Sequence, residues 1–343
     1  MKKTTNKQTE NTTQMSEKLL ATKVDFKLNN GKLMPAFGLG TANPKERILE
    51  TKEAVKTAVK AGYRMIDTAA FYGTEETIGE ALQELFKEGV VKREELFITT
   101  KVWPNRWDEV EESLELSLKK LQLDYVDLLL QHWPLCFPRI TNPKTGDLIG
   151  KPKDEKGKPV YEHEGNYLET YKQMERIYLN EHDHKVRSIG VCNYSIDYLE
   201  NLFDDPTIRT VPSVNQVELN PQNPQVELVK FCQSRGILMT GYSPLGSSGA
   251  PILKLSLIKE LSEKLDLTTN EVVHSYLISK GIVVIPRSLN GERIKSNIYY
   301  KKLSKEQIDL IDNIGKTDPY RHIDEDFAAP LPGFTGRTPT DAE

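Results

Sequence analysis

Long apolar runs, paired cysteines and an excess of either charge are all missing from this 343-residue chain. No run reaches the ~18 apolar residues that a membrane-spanning helix needs, so we expect no membrane partner. The three cysteines, Cys136, Cys192 and Cys232, form no CxxC pair, which disfavours a disulfide framework and a structural zinc site. The 46 basic and 50 acidic residues give a net charge of −4, which argues against a nucleic-acid-binding protein.

Several well-known nucleotide and hydrolase motifs are absent as well. Gly38-Leu39-Gly40 lacks the third glycine of a G-x-G-x-x-G turn, and no Walker A, H-E-x-x-H or G-x-S-x-G sequence occurs. His182-Asp183-His184 offers too few ligands for a metal site, and we interpret it as a solvated turn. The sequence therefore predicts no bound metal.

The first 22 residues are polar, and we predict a disordered tail in front of one domain spanning residues 23–343. The tail lacks the apolar segment of a secretory signal. It also has no arginine and carries Glu10 and Glu17, unlike a transit peptide. These features favour a cytoplasmic, reducing location.

Short apolar runs alternate with longer segments of helical periodicity along the rest of the chain. Eight such runs occur, several continuously apolar as in buried parallel strands: 37–41, 64–69, 96–102, 126–133, 188–193, 213–219, 237–243 and 282–287. Eight β-then-α units fit a doubly wound sheet or a closed barrel, and the count favours a (β/α)8 (TIM) barrel. Asn30-Gly31 predicts an N-terminal hairpin, and the irregular stretch 135–164 predicts a large loop over the barrel mouth.

Polar residues stand at or near the C-terminal ends of these runs, where a barrel builds its active site. They are Asp67, Lys101, His132, Asn193, Gln216, Ser243 and Arg287. Each placement alone is equally consistent with ordinary loop polarity, but seven in one chain favour a functional mouth.

Asp67, Tyr72, Lys101 and His132 together suit a proton-donating site. A free tyrosine has a pKa near 10, and we expect a neighbouring lysine ammonium to lower that pKa. An aspartate would keep Lys101 charged within its apolar strand, where an unpaired charge is costly. His132 would orient a carbonyl oxygen toward the phenol.

Seven segments resemble the aldo-keto reductase family in chain order, from about residue 26 to residue 326. They are GYRMIDTAAFYGTEETIGEAL, TKVW, LDYVDLLLQHWP, SIGVCNYS, VNQVELNP, GYSPLG and VIPRS. The resemblance implies a (β/α)8 barrel closed at the bottom by its N-terminal β-hairpin, with large loops at the C-terminal mouth. It also implies NADPH as cofactor and reduction of an aldehyde or ketone, and the sequence is similar to fungal carbonyl reductases.

The resemblance also implies roles for individual residues. Tyr72 matches the general acid, Lys101 and Asp67 match its pKa-lowering partners, and His132 matches the residue that positions the carbonyl. The implied cofactor contacts, from nicotinamide to adenosine 2′-phosphate and adenine, are Thr41, Cys192, Asn193, Gln216, Tyr242, Ser243, Leu245, Gly246, Arg287, Ser288, Arg293 and Asn297. Trp103, Trp133 and Ala42 are the implied substrate walls.

The chain departs from the family pattern at four positions. Cys192 replaces a common serine, Ser296 a common glutamate, Arg287 a commoner lysine, and Ala42 a pocket tryptophan. The first two changes put one carboxamide contact and one adenine contact in doubt. The change at Ala42 should enlarge or reshape the substrate site.

The sequence leaves several alternatives open. The protein could be a non-catalytic NADPH-binding regulatory subunit, or an enzyme that works mainly as an alcohol or sugar dehydrogenase. Arg287 makes strict use of NADH unfavourable but does not exclude its use beside NADPH. Small aldehydes, α-keto carbonyls and aldoses all fit as substrates, and either a monomer or a homodimer is compatible with the sequence.

Overall fold

The computed structural model describes residues 17–180, 182–328 and Leu331. In this part of the chain the strands are β1 (Leu19–Leu20), β2 (Asp25–Lys27), β3 (Leu33–Pro35), β4 (Leu39–Gly40), β5 (Met65–Asp67), β6 (Phe97–Val102), β7 (Leu128–Gln131), β8 (Ile189–Cys192), β9 (Val214–Glu218), β10 (Leu238–Tyr242), β11 (Ile282–Val284) and β12 (Tyr299–Tyr300).

In the same described part of the chain, most strands of the sheet are followed by a helix. They are α1 (Thr51–Lys60), α2 (Glu75–Lys87), α3 (Val110–Leu121), α4 (Tyr167–Tyr178), α5 (Ile196–Asp204), α6 (Val226–Ser234), α7 (Ser256–Leu265), α8 (Thr269–Ser279), α9 (Gly291–Ser296), α10 (Lys305–Asp312) and α11 (Ile314–Thr317). Over these ranges, no helix combines the length and apolar character that a membrane crossing requires.

Strands β4 to β11 form one parallel sheet whose spatial order is the chain order. Its two edges meet, because Phe37 bridges Val284 and Gly40 bridges Arg287 in parallel pairs. A Cβ atom on Gly40 would lie 2.8 Å from the carbonyl oxygen of Ile285, so glycine permits this close approach. Each of the eight predicted apolar runs contains one of these strands, and the sheet closes as a barrel.

Local sequence signals fix where several outer helices begin. Asn166 caps α4 by accepting a hydrogen bond from the backbone of Leu168. Thr268 and Glu271 form a capping box at the start of α8. Such caps satisfy amide groups that the first helical turn leaves without partners.

The barrel interior is apolar at one end and polar at the other. Met65, Phe97, Leu128, Val214 and Val283, at or near the amino ends of their strands, share one buried cluster. The residues near the carboxyl ends include buried charged and amide side chains. Because all eight strands are parallel, these polar side chains meet at a single mouth.

A short hairpin of β2 and β3 packs against the apolar end. Leu28 and Met34 belong to the interior cluster, so the hairpin shares the core of the barrel. Asn30 in its turn donates to the Ser188 hydroxyl at 2.9 Å, and Asn29 accepts from the Ser213 hydroxyl at 2.7 Å. Ser188 and Ser213 immediately precede β8 and β9, which places the turn at the amino ends of these strands.

The last residues of the polar tail predicted for residues 1–22 belong to the fold. Leu19 and Leu20 pair with Tyr300 and Tyr299 in an antiparallel ribbon, and Ala21 is fully buried. Because Ala21 and Thr22 are buried, residues 19–22 are part of the domain and not of a disordered tail. Residues 1–16 lie outside the described residues, and for them the tail remains a prediction.

His274 of α8 should make the stability of the fold depend on pH. Its ring is fully buried and lies edge-on to Phe37, with 5.1 Å between ring centroids. Burial lowers the pKa of His274 to about 4, although a backbone interaction with Asn297 opposes this shift. The unfolded chain, with a pKa near 6.5, therefore binds a proton that the folded chain does not bind between these pH values. Stability contributed by the neutral ring is present above pH ~6.5 and is lost as the pH falls toward 4.

A His274→Phe variant tests this pH dependence, because phenylalanine keeps a ring against Phe37 but cannot titrate. Between pH 7 and 4.5, we expect the free energy of unfolding to fall by roughly 2 to 3 kcal/mol more in the parent than in the variant. Urea titrations at each pH measure this difference. Replacing the exposed His163 in the same way should leave the parent's pH dependence in place. Equal losses in the parent and the His274→Phe variant would rule His274 out as the titrating group.

Candidate active site

Three neighbouring strands deliver the predicted acid–base residues to one point. Asp67 is the last residue of β5, Lys101 lies near the end of β6, and His132 directly follows β7. Tyr72 ends a short 3-10 turn, Ala70–Tyr72, that follows β5. The parallel register of the strands is what brings these four side chains together.

The buried charge of Lys101 is fully paired. Its ammonium donates to Asp67 Oδ1 at 2.5 Å and to the carbonyl oxygen of Thr68 at 2.8 Å. The second oxygen of Asp67 accepts from Gln216 Nε2 at 2.7 Å. The pair and its hydrogen bonds offset the cost of placing a cation inside the barrel.

The hydroxyl of Tyr72 lies between the cation and the imidazole. Lys101 Nζ is 3.4 Å from the Tyr72 oxygen, and His132 Nε2 is 3.5 Å from the same oxygen. Both contacts are long for hydrogen bonds. A carbonyl oxygen placed at this point would be within reach of the phenol and of the imidazole.

The electrostatic environment keeps both side chains neutral. Burial raises the pKa of Tyr72 well above its ordinary value, and Asp67 and Cys192 raise it further. The net direction is opposite to the lowering expected from Lys101, because burial disfavours the phenolate and the negative charge of Asp67 opposes it. Burial and the charge of Lys101 lower the pKa of His132 well below its ordinary range. At neutral pH the site holds a protonated phenol beside an uncharged imidazole.

A pocket of about 840 Å³ extends from this cluster across the barrel mouth. The predicted residues that line it are Thr41, Ala42, Asp67, Tyr72, Trp103, His132, Trp133, Cys192, Asn193, Gln216, Tyr242, Ser243, Leu245, Arg287, Ser288 and Arg293. Lys101 lies behind Tyr72. Gly246 and Asn297 do not line the pocket, and the amide oxygen of Asn297 accepts from Asn270 at 2.7 Å.

Two amide side chains and a tyrosine form the inner end of the pocket beside the cluster of Asp67, Tyr72, Lys101 and His132. Tyr242 donates its hydroxyl to Asn193 Oδ1 at 2.7 Å, which fixes the ring, and Asn193 Nδ2 donates to the carbonyl oxygen of His132 at 3.0 Å. Gln216 is buried, and its Oε1 accepts from the weak thiol donor of Cys192 at 4.0 Å. Asn193 Oδ1 retains a lone pair, so two acceptors are available to a carboxamide.

The outer end of the pocket is positively charged. Arg287, Arg293 and Arg47 line it, and neither Arg287 nor Arg293 forms an ion pair with a described residue. Ser288 and Asn290 add polar side chains. Arg47 was not predicted as a pocket residue: barrel closure places its loop beside the segment after β11, but no motif around Arg47 marks a ligand contact.

The neighbours of the two predicted tryptophans were not predicted: Phe71 lines the pocket, and Phe327 is buried against Trp133 without lining it. Phe71 stacks on Trp103 with 3.7 Å between ring centroids, and Phe327 lies edge-on to Trp133 at 5.1 Å. The Trp103 indole donates to the carbonyl oxygen of Gly150 at 2.5 Å. A Cβ atom on Gly150 would lie 2.5 Å from the Phe71 ring, so the long segment after β7 contacts these rings with its backbone.

Among the described residues, no three His, Cys, Asp or Glu side chains are placed to hold a metal. His182, Asp183 and His184 line a separate open groove of about 680 Å³ beside α3. Asp183 pairs with Lys185 at 3.1 Å, as a solvated turn would allow.

An acid–base cluster at the carboxyl ends of barrel strands, with a pocket above it, defines a (β/α)8-barrel enzyme. Residues 36–316 match the Aldo/keto reductase family, and the chain belongs to that family. It is 40% identical to glycerol 2-dehydrogenase (NADP(+)) of Saccharomyces cerevisiae, covering 84% of this chain and 90% of the relative. It is also 40% identical to D-galacturonate reductase of Hypocrea jecorina, covering 84% and 89%. The solved aldose reductase of Schistosoma japonicum superposes with a TM-score of 0.78 at 30% identity, covering 88% of this chain and 94% of that one.

Proposed function

We propose that the protein is an NADPH-dependent reductase that converts an aldehyde or ketone to the alcohol. The observation that carries this proposal is the contact set of Tyr72, with Lys101 at 3.4 Å and His132 at 3.5 Å from its oxygen. Family membership and the names of the fungal relatives support the same reaction class.

The pocket is chemically suited to hold NADPH. Its inner end offers the amide oxygens of Asn193 and Gln216 to a carboxamide, and the Tyr242 ring supplies a flat face for nicotinamide. Its outer end offers guanidinium groups without carboxylate partners among the described residues, and such groups bind phosphate well. The chemistry supplied by bound NADPH is hydride transfer to the carbonyl carbon.

The four clustered side chains orient the carbonyl group and transfer a proton to its oxygen. His132 donates Nε2–H to the carbonyl oxygen and orients it toward the phenol. Tyr72 then gives its proton to that oxygen as negative charge develops there. Lys101 stabilises the resulting phenolate, and Asp67 holds the ammonium in place throughout. The raised pKa of Tyr72 is compatible with this role, because a developing alkoxide is far more basic than a phenolate.

The substrate side favours small carbonyl compounds. Trp103, Trp133 and Phe71 line it with aromatic rings, and Ala42 lines it with a small side chain. We propose that the long segment after β7 covers this part of the pocket, since its Gly150 carbonyl is bonded to Trp103. Small aldehydes, α-keto carbonyls and aldoses all fit this description.

We also propose a role for the N-terminal hairpin and a reducing location for the protein. The hairpin of β2 and β3 closes the amino end of the barrel, as its shared core indicates. Cys136, Cys192 and Cys232 are buried and unpaired, which suits a reducing compartment such as the cytoplasm.

Oxidation of NADPH and NADH against a carbonyl panel tests the proposed reaction. The panel contains aldoses, α-keto esters, aromatic aldehydes and short aliphatic aldehydes, and the loss of absorbance of the reduced ring is followed. We expect rapid turnover with NADPH and slower turnover with NADH. Tight NADPH binding without turnover of any carbonyl would instead favour a regulatory subunit. Faster reaction in the alcohol-to-carbonyl direction at matched cofactor would favour a dehydrogenase.

A further inference from the structure

Closure of the barrel brings two distant loops side by side at the outer end of the pocket. Gly40 at the end of β4 bridges Arg287, and its amide donates to the carbonyl oxygen of Pro286 at 3.1 Å. The chain leaving β4 therefore runs beside the chain leaving β11. The first of these loops continues into the 3-10 segment Lys45–Glu50, which carries Arg47 into the pocket wall.

Arg47 and Arg287 interact unfavourably across this wall. The charge of Arg47 adds to burial in lowering the pKa of Arg287. Arg293 lines the same region, so three guanidinium groups share one end of the pocket. Among the described residues, Arg47 pairs with Glu50, whereas Arg287 and Arg293 form no ion pair. A wall with this excess of positive charge is suited to an anion.

The pairing of Arg47 leaves part of its guanidinium available. Nε and Nη2 donate to the two oxygens of Glu50 at 2.6 and 2.7 Å. Nη1 has no hydrogen bond to any residue that the structure describes. Both side chains are 50% exposed, so the pair holds Arg47 in place without sequestering it. Arg47 can therefore contact a phosphate while it remains bonded to Glu50.

We propose that Arg47 is a third cation for the adenosine 2′-phosphate of NADPH, positioned by Glu50 beside Arg287. The assignment rests on the proposed cofactor, and it extends the phosphate pocket to a loop outside the segment that follows β11. The 2′-phosphate is favoured over the pyrophosphate because Arg47 lines the pocket together with Arg287, whose guanidinium suits a 2′-phosphate. A contact to the 2′-phosphate affects only NADP(H), whereas a contact to the pyrophosphate affects both dinucleotides.

An Arg47→Gln variant distinguishes a contact to the 2′-phosphate from a contact to the pyrophosphate, and the test needs no turnover. Dissociation constants of NADP⁺ and NAD⁺ are measured by calorimetry, with the oxidised forms chosen so that no reaction occurs. We expect the dissociation constant of NADP⁺ to rise about five-fold, as for an exposed ionic contact, while that of NAD⁺ stays within about two-fold. Added salt should weaken NADP⁺ binding less steeply in the variant than in the parent.

Lys45→Gln is the matched control, because Lys45 is an exposed cation two residues earlier that does not line the pocket. It removes the same charge from the loop and should leave both dissociation constants unchanged. Equal effects of the two variants would overturn the proposal, since only net charge would then matter. Equal weakening of NADP⁺ and NAD⁺ by Arg47→Gln would also overturn it and move the contact to the pyrophosphate. Failure of the parent to bind either dinucleotide would instead contradict the proposed function.

Discussion

Tyr72→Phe should reduce the kcat of carbonyl reduction by about 10³-fold while leaving NADPH binding intact. The substitution removes only the hydroxyl that lies between Lys101 and His132. The remaining ring can keep its edge-on packing against His132, where the centroids are 5.4 Å apart. Without the phenol, the developing alkoxide is left with the Nε2–H of the neutral His132 imidazole, which is a much weaker acid than a phenol. Steady-state assays with a saturating carbonyl measure kcat, and quenching of tryptophan fluorescence measures NADPH binding.

Tyr161→Phe provides the control for this substitution. Tyr161 also lies near the mouth, and its hydroxyl donates to the carbonyl oxygen of Phe327 at 2.9 Å. Removing that hydroxyl should alter kcat far less, because it touches neither Lys101 nor His132. A Tyr72→Phe variant that retains kcat within ten-fold of the parent would exclude Tyr72 as the general acid. Loss of NADPH binding together with kcat would point to misfolding of the pocket.

The strands and the acid–base cluster could be predicted because both follow from local patterns and one topological rule. Apolar runs mark buried parallel strands, and parallel strands place their carboxyl ends at one mouth. Asp67, Lys101 and His132 therefore had to converge once the runs were recognised. The pKa of Tyr72 could not be predicted in the same way. Its direction depends on how deeply the phenol is buried and on how completely Asp67 compensates Lys101, and both are properties of the folded pocket.

The remaining pocket walls depend on contacts between segments that are far apart in the chain. Phe327 meets Trp133 only because the C-terminal segment packs on the long segment after β7, where Lys151 pairs with Glu325 at 2.5 Å. Arg47 reaches the wall that carries Arg287 because β4 closes the barrel against β11. No periodicity or motif around Phe327 or Arg47 indicates these partners. For Asn297 the resemblance implies an adenine contact, and the structure shows its amide oxygen accepting from Asn270, so the contact stays a prediction.

Arg287→Ala should raise the dissociation constant of NADPH by roughly 10- to 100-fold and leave that of NADH nearly unchanged. Arg287 lines the outer end of the pocket and has no carboxylate partner among the described residues, so its charge is available to a ligand. A guanidinium can bind the 2′-phosphate with two charge-assisted hydrogen bonds, and NADH has no group at that position. The loss should exceed that of Arg47→Gln, because Arg47 shares its charge with Glu50.

Arg176→Ala supplies the comparison, since Arg176 is an exposed arginine of α4 that pairs with Glu169 and lies outside the pocket. It should change neither dissociation constant. With NADH as cofactor, kcat of Arg287→Ala should equal that of the parent, because Tyr72 and its partners are untouched. Equal weakening of NADPH and NADH would show that Arg287 contacts a part common to both cofactors. The preference for NADPH would then have to arise from Arg293 and Arg47, and the double variant of those two residues would carry the larger loss.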